Sequence, residues 1–313
     1  MAVRGWLGWW VVVLGVALAG GVQAASVRVT TTVFAYYDLV RAVGGARVEA
    51  EILIPPQTSP HEYDPPAAAR LKVAKSRLLL MNGLGLDDWA EKLADPARTQ
   101  VLKLGELVAA TKPAPGLDEV GATSRPAATA GEHKHEDGHQ HGDPQRDPHV
   151  WMNPENQITL AGVVAAELTK LDPAGKEIYA QQLAAYVATL RKLDAEFAAA
   201  VKGFKTRKFI GFHPAYAHLA ARYGLEQVAS VELVAEQGMT PAQAQKIVAL
   251  VKEFQIKVIF IETALGAKDA ELLRKQTGVQ LLILQPLETY EAATDTYEAM
   301  MRGNLANLKK AME

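Results

Sequence analysis

The sequence predicts an α/β protein of two lobes, each a parallel-rich sheet flanked by helices, joined by one long rigid helix. Three observations predict it. Short β-branched or apolar runs alternate with helical stretches early in the chain, and the same alternation resumes beyond residue 204. Between them, residues 176–202 keep a helical apolar period with no glycine or proline.

Residues 27–33 and 47–54 read as strands on their β-branched content, and 77–81 and 100–104 continue the series. Helices are expected at 65–74 and 87–93, so the strands should run parallel. Residues 111–146, rich in Pro, Gly, Ala, Thr, His and charge, read as a flexible loop. A helix follows over 154–171. Asp172-Pro173 then reads as an N-cap with proline at the first helical position. That helix should reach Lys202, since Ile178, Leu183, Tyr186, Val187, Leu190, Leu193 and Phe197 recur at helical spacing. At about 1.5 Å per residue it would span about 40 Å and resist large hinge motion. Strands are expected next at 208–212, 226–231, 258–261 and 279–284. Helices should lie near 214–223, 241–254, 267–277 and 290–311, the second opened by Thr240-Pro241. The divisions are therefore 1–24 signal peptide, 25–171 N-terminal lobe, 172–203 connecting helix and 204–313 C-terminal lobe.

Arg4, an apolar run over residues 6–19 and the small residues around Val22-Gln23-Ala24 form a signal-peptide pattern, with cleavage expected near Ala24. The run is shorter than the roughly 20 residues that span a bilayer. With no cysteine there is no lipid-attachment site and no disulfide framework, which fits a soluble protein of a bacterial periplasm. A net charge of -2 without a basic aromatic patch argues against nucleic acid.

Histidine carries the chemistry. His61, His149 and His213 stand in Ser59-Pro60-His61-Glu62-Tyr63-Asp64-Pro65, Asp147-Pro148-His149-Val150-Trp151 and Gly211-Phe212-His213-Pro214. Each falls where a predicted strand gives way to a loop or helix, and ligands of parallel α/β folds gather at carboxyl ends of strands. Three imidazoles suit zinc, if the fold brings them together. His133, His135, His139 and His141 crowd the predicted loop and read as an auxiliary, low-affinity metal-gathering tract. Ordering that tract around an ion costs conformational entropy. His218, five positions after His213 and off same-face helical spacing, reads as structural. Glu262, at the end of a predicted strand, reads as a helix-start carboxylate.

These motifs resemble those of the metal-binding solute receptors of bacterial ABC transporters, the family that includes the periplasmic zinc-uptake proteins. Pro60-His61-Glu62-Tyr63-Asp64-Pro65 is similar to the family's first ligand motif, and Asp147-Pro148-His149-Val150-Trp151-Met152-Asn153-Pro154 to its second. Gly211-Phe212-His213-Pro214-Ala215-Tyr216 is similar to the third, where manganese receptors tend to carry glutamate. The stretch from Leu80 to Trp89 is a further landmark. The resemblance covers nearly the whole mature chain. It implies two lobes, a rigid connecting helix, a histidine-rich insertion and Zn2+ as transported ligand. It also implies an ABC permease and, through it, an ATPase as partners, with room for a periplasmic metallochaperone. A monomer without enzymatic activity is expected.

One departure concerns the last ligand motif, which usually has aspartate before a Pro-Leu pair. Here the segment is Leu284-Gln285-Pro286-Leu287-Glu288. Gln285 could donate its carbonyl oxygen, water could fill the corner, or a carboxylate such as Glu62 or Glu288 could substitute. The preferred expectation is three histidines with Gln285 or water. Rival readings are a zinc hydrolase, a metal buffer or adhesin, and a receptor for manganese or copper. Against the hydrolase, the chain has no helix-borne H-E-x-x-H, the match at 135–139 falling in the predicted polar loop, and no G-x-S-x-G.

Overall fold

The computed structural model describes residues 26–61, 63–108, 146–231, 239–262, 267–292 and 294–313. The signal-peptide pattern, the four-histidine tract and Glu62 lie outside the described residues. Two four-stranded sheets organise the rest. The first contains β1 (Val27–Thr31), β2 (Val48–Ile52), β3 (Leu78–Met81) and β4 (Gln100–Lys103) in the order β2-β1-β3-β4. The second contains β5 (Lys208–Gly211), β6 (Glu226–Ser230), β7 (Val258–Ile261) and β8 (Gln280–Ile283) in the order β6-β5-β7-β8. Every recorded pairing is parallel, as the alternation predicts. Each sheet reverses its winding at its central pair, which opens a crevice at the carboxyl ends of the strands.

Helix α1 (Phe34–Gly44) is absent from the sequence reading. Eight of its eleven residues are buried, and Tyr36, Leu39, Val40 and Val43 recur at helical spacing along its buried side. Its C-terminus turns at Gly45, whose φ of 53° favours glycine. Helix α2 (Ala67–Ala74) covers the outer face of the first sheet, and α3 (Pro154–Leu171) starts where the Asn153 side chain accepts the Glu155 N–H at 3.0 Å.

The connecting helix α4 covers Lys176–Ala200, 25 residues or about 37 Å at 1.5 Å per residue. Asp172 does not cap it. A short 3-10 turn over Pro173–Gly175 intervenes, and the Asp172 carboxylate accepts instead from Arg47 Nε and Nη2, at 2.7 and 2.8 Å, and from the Tyr179 hydroxyl at 2.7 Å. A bidentate arginine outcompetes the local cap and fastens the start of α4 to the N-terminal lobe.

In the second lobe α5 (Ala217–Tyr223), α6 (Pro241–Glu253), α7 (Ala267–Thr277) and α8 (Tyr297–Met312) surround the sheet. Thr240 and Gln243 form a capping box at α6. Helix α8 starts later than expected, because the preceding segment crosses to the first lobe. There Phe34 N–H donates to the Glu288 carbonyl and Gln57 N–H to Thr289 Oγ1, both at 2.8 Å.

One continuous core joins the lobes. It runs from Val29 and Leu78 through Leu160, Leu190 and Phe197 to Phe209, Phe260 and Leu308. Smaller clusters lie under α6 and α7, around Ile247 and Ile259, and under α2, around Val73 and Leu79. Among the described residues no helix is long and apolar enough to cross a membrane.

Candidate metal centre

Four side chains from four separate segments converge between the lobes. His61 lies on the loop after β2 and follows Pro60; its N–H donates to Ser59 Oγ at 3.3 Å. His149 follows Pro148 at the entry to a short 3-10 turn over Val150–Met152. His213 sits just beyond β5, and Glu288 just beyond β8. Their imidazole and carboxylate donor atoms all lie within 4.8 Å of one another.

The distances define the shape. Glu288 Oε1 lies 3.0 Å from His61 Nε2, 2.7 Å from His149 Nε2 and 3.9 Å from His213 Nε2. The two nitrogens of His61 and His149 are 3.4 Å apart. A tetrahedral zinc ion with bonds of roughly 2.0–2.1 Å sets its ligands about 3.3–3.4 Å apart, a value these separations straddle. Three imidazole nitrogens and one carboxylate oxygen form a donor set suited to zinc.

The outer nitrogens fix which ring atom faces the centre. Asp147 Oδ1 accepts from His149 Nδ1 at 2.5 Å and from His149 N–H at 2.9 Å, while Oδ2 accepts Ala217 N–H at 3.2 Å. Glu262 Oε1 stands 2.7 Å from His213 Nδ1. In both rings Nε2 is thereby left to meet a ligand, the arrangement expected of metal-ligating histidines. Glu262, expected to serve a helix start, stands against the His213 ring. His218 donates from Nε2 to the Asp147 carbonyl at 3.0 Å, so its role is to support Asp147. The His213 carbonyl accepts from Gln227 Nε2 at 2.8 Å. A Cβ on Gly211 would stand 2.6 Å from that Gln227 nitrogen, so a side chain there would displace the brace.

Charge follows from this packing. Burial opposes a charged His149, but Asp147 at one ring nitrogen and Glu288 at the other outweigh it and raise the ring to about 10. His213 is also buried, and Glu288 and Glu262 still raise it. Burial works against an ionised Glu288 too, yet His213, His61 and His149 hold its carboxyl well below the usual range. Asp147 is lowered in the same way, burial being overcome by His149 and His218.

Gln285 is held through its backbone. Its main chain is pinned to α8, its N–H donating to Asn304 Oδ1 at 2.7 Å and its carbonyl accepting from Asn304 Nδ2 at 2.8 Å. The side chain that converges with the three imidazoles is Glu288, the substitute carboxylate ranked behind Gln285 by the sequence. Leu287, at a φ of 60°, turns the chain between the two. A carboxylate three residues past the glutamine, in the loop leaving a strand, was the available signal.

A two-lobed α/β protein with an imidazole–carboxylate cluster between the carboxyl ends of its sheets defines a metal-binding solute receptor. Residues 29–311 match the ZnuA family, zinc-uptake complex component A periplasmic, and the chain belongs to that family. It is 30% identical over 291 residues to the zinc-binding lipoprotein AdcA of Streptococcus pneumoniae strain R6, covering 91% of this chain and 56% of that one. The chain therefore spans about half the length of that relative. It is 26% identical over 289 residues to the high-affinity zinc uptake system protein ZnuA of Bacillus subtilis strain 168, covering 91% and 87%. The Zn(II)-bound ZnuA-like domain of Streptococcus pneumoniae AdcA superposes with a TM-score of 0.74 at 26% identity, covering 92% of this chain and 99% of that domain. The family is one of zinc-binding receptors, not of enzymes.

Proposed function

We propose that this protein is an exported zinc receptor that captures Zn2+ between its lobes and hands it to an ABC permease coupled to an ATPase. His61, His149 and His213 supply neutral nitrogens, and Glu288 supplies the anionic oxygen. The observation that carries the reading is the convergence of these four donors within 4.8 Å of one another. Membership of the zinc-uptake family supports the transport role. Cleavage near Ala24 would release the receptor into the periplasm. The histidine tract over 133–141 gathers zinc weakly and reversibly, in addition to the main site.

The test is a zinc competition titration of metal-stripped protein with residues 133–141 deleted, run beside His213→Ala. Tight one-to-one binding that collapses in His213→Ala is the expected result. Weak binding in the deleted protein would move the site to the histidine tract and sink the reading. Uptake is tested separately: deleting the gene should abolish growth in zinc-depleted medium, with rescue by added zinc.

A further inference from the structure

We infer that Trp151 is a positioning residue for zinc binding, fixing where Glu288 stands relative to His149. It rests on the reading of these two residues as ligands. Trp151 is fully buried, and its indole N–H donates to the Pro286 carbonyl at 2.7 Å. Its ring meets the His149 ring at 5.5 Å and 73°, an edge-on contact. One side chain thus touches one ligand directly and holds the loop that carries another.

Trp151 is itself immobilised. The Tyr297 hydroxyl donates to its carbonyl at 2.7 Å, and Tyr36 packs edge-on against its ring at 5.6 Å and 81°. The loop it holds has a reason to move. Leu287, between Pro286 and Glu288, has a φ of 60°, a left-handed conformation unfavourable for a residue with a branched side chain. Such a residue persists only where its surroundings over-determine it. Two hydrogen bonds bracket it, from the Trp151 indole to the Pro286 carbonyl and from Phe34 N–H to the Glu288 carbonyl. Removing the indole N–H leaves a buried carbonyl without a partner and one bracket open. Leu287 can then relax, and the Glu288 carboxylate swings away from the three nitrogens. The tryptophan of the second ligand motif thereby sets the geometry of the fourth ligand.

The test is a double-mutant cycle on zinc affinity in the full chain. Trp151→Phe keeps an aromatic ring and removes the donor. It should weaken zinc binding about tenfold when Glu288 is present, and less than twofold when Glu288→Gln is already present. In a Glu262→Gln background, which loosens His213 without removing a ligand, the tenfold loss should persist. Equal losses with and without Glu288→Gln, or no loss at all, would overturn the inference. Should Glu288→Gln and His213→Ala both bind like the unsubstituted protein, the site reading fails first, and the two failures are distinct. A second measurement guards against a Trp151→Phe chain that does not fold. In zinc-loaded unsubstituted protein the Trp151 indole proton, assigned by its contacts to the His149 ring, should exchange slowly with solvent. Exchange at the rate of an exposed indole would overturn the inference equally.

Discussion

Asp147 and His149 are joined twice, one carboxylate oxygen receiving both the main-chain N–H and the ring Nδ1–H of the histidine. The ring can neither rotate nor change tautomer without breaking a buried, charge-assisted bond. Asp147→Asn should therefore lower zinc affinity roughly 10–100-fold, the usual cost of losing an outer partner of a metal-ligating histidine. Glu262→Gln acts on His213 in the same direction. An unchanged competition titration in Asp147→Asn would mean that the ring needs no such restraint.

Glu288→Gln keeps shape and removes charge. Zinc affinity should fall by at least about 100-fold, beyond the range of an outer partner. Gln285→Ala should leave it within a few-fold, because the recorded partners of Gln285 are main-chain bonds to Asn304. Titration of the two variants side by side decides the matter; a larger loss in Gln285→Ala would return the fourth corner to the glutamine.

Zinc competes with protons for the imidazoles, so affinity should rise with pH. The sequence alone suggests a fall as pH drops through roughly 6.5. Against the opposing effect of burial, Asp147 and Glu288 raise His149 to about 10, moving that window upward. Between pH 7 and 9 affinity should then climb at least about tenfold per unit, one decade for each proton displaced. A flat profile over that range would count against a charged His149 in the metal-free protein.

The metal-free fold should show the opposite trend. A ring raised from 6.5 to about 10 on folding contributes stability that is complete below pH 6.5 and lost as pH rises toward 10. Asp147 and Glu288, both lowered, contribute stability present above the usual carboxylate range and lost in acid. Thermal melts of stripped protein should therefore decline from pH 6.5 to 10, and saturating zinc should suppress the decline.

Phe197 tests the frame apart from the site. It is fully buried on α4 and stacks on Tyr223 at 4.8 Å and 18°. Phe197→Ala should cost about 3–5 kcal/mol of stability while leaving zinc affinity unchanged below the melting range. Loss of affinity in a folded Phe197→Ala protein would tie the strut to the site.

The sequence disclosed what repeats and what is locally marked. Strands Val258–Ile261 and Gln280–Ile283 stand out because apolar β-branched runs between helices have few other uses. His61, His149 and His213 were visible because proline and aromatic neighbours set each apart. Helix α1 was missed although its period was there to be read, Tyr36, Leu39, Val40 and Val43 recurring at helical spacing. Asp172 misled because its local motif is that of a cap, while its partner Arg47 lies 125 residues away. Glu288 was ranked second because Gln285 holds the place before the Pro-Leu pair where the resemblance implies aspartate, and a leucine gives no warning of the left-handed backbone at Leu287.

The single core running through both lobes has a consequence for how occupancy can be reported. Interiors packed to crystal density do not shear freely, and α4 crosses between the halves without a break. A wide swing of one half against the other would tear that interior. Any difference between full and empty forms is therefore confined to the mouth of the crevice, in exposed loops such as the one bearing His61. A partner that distinguishes them has to read the local relief of that rim rather than the outline of the molecule.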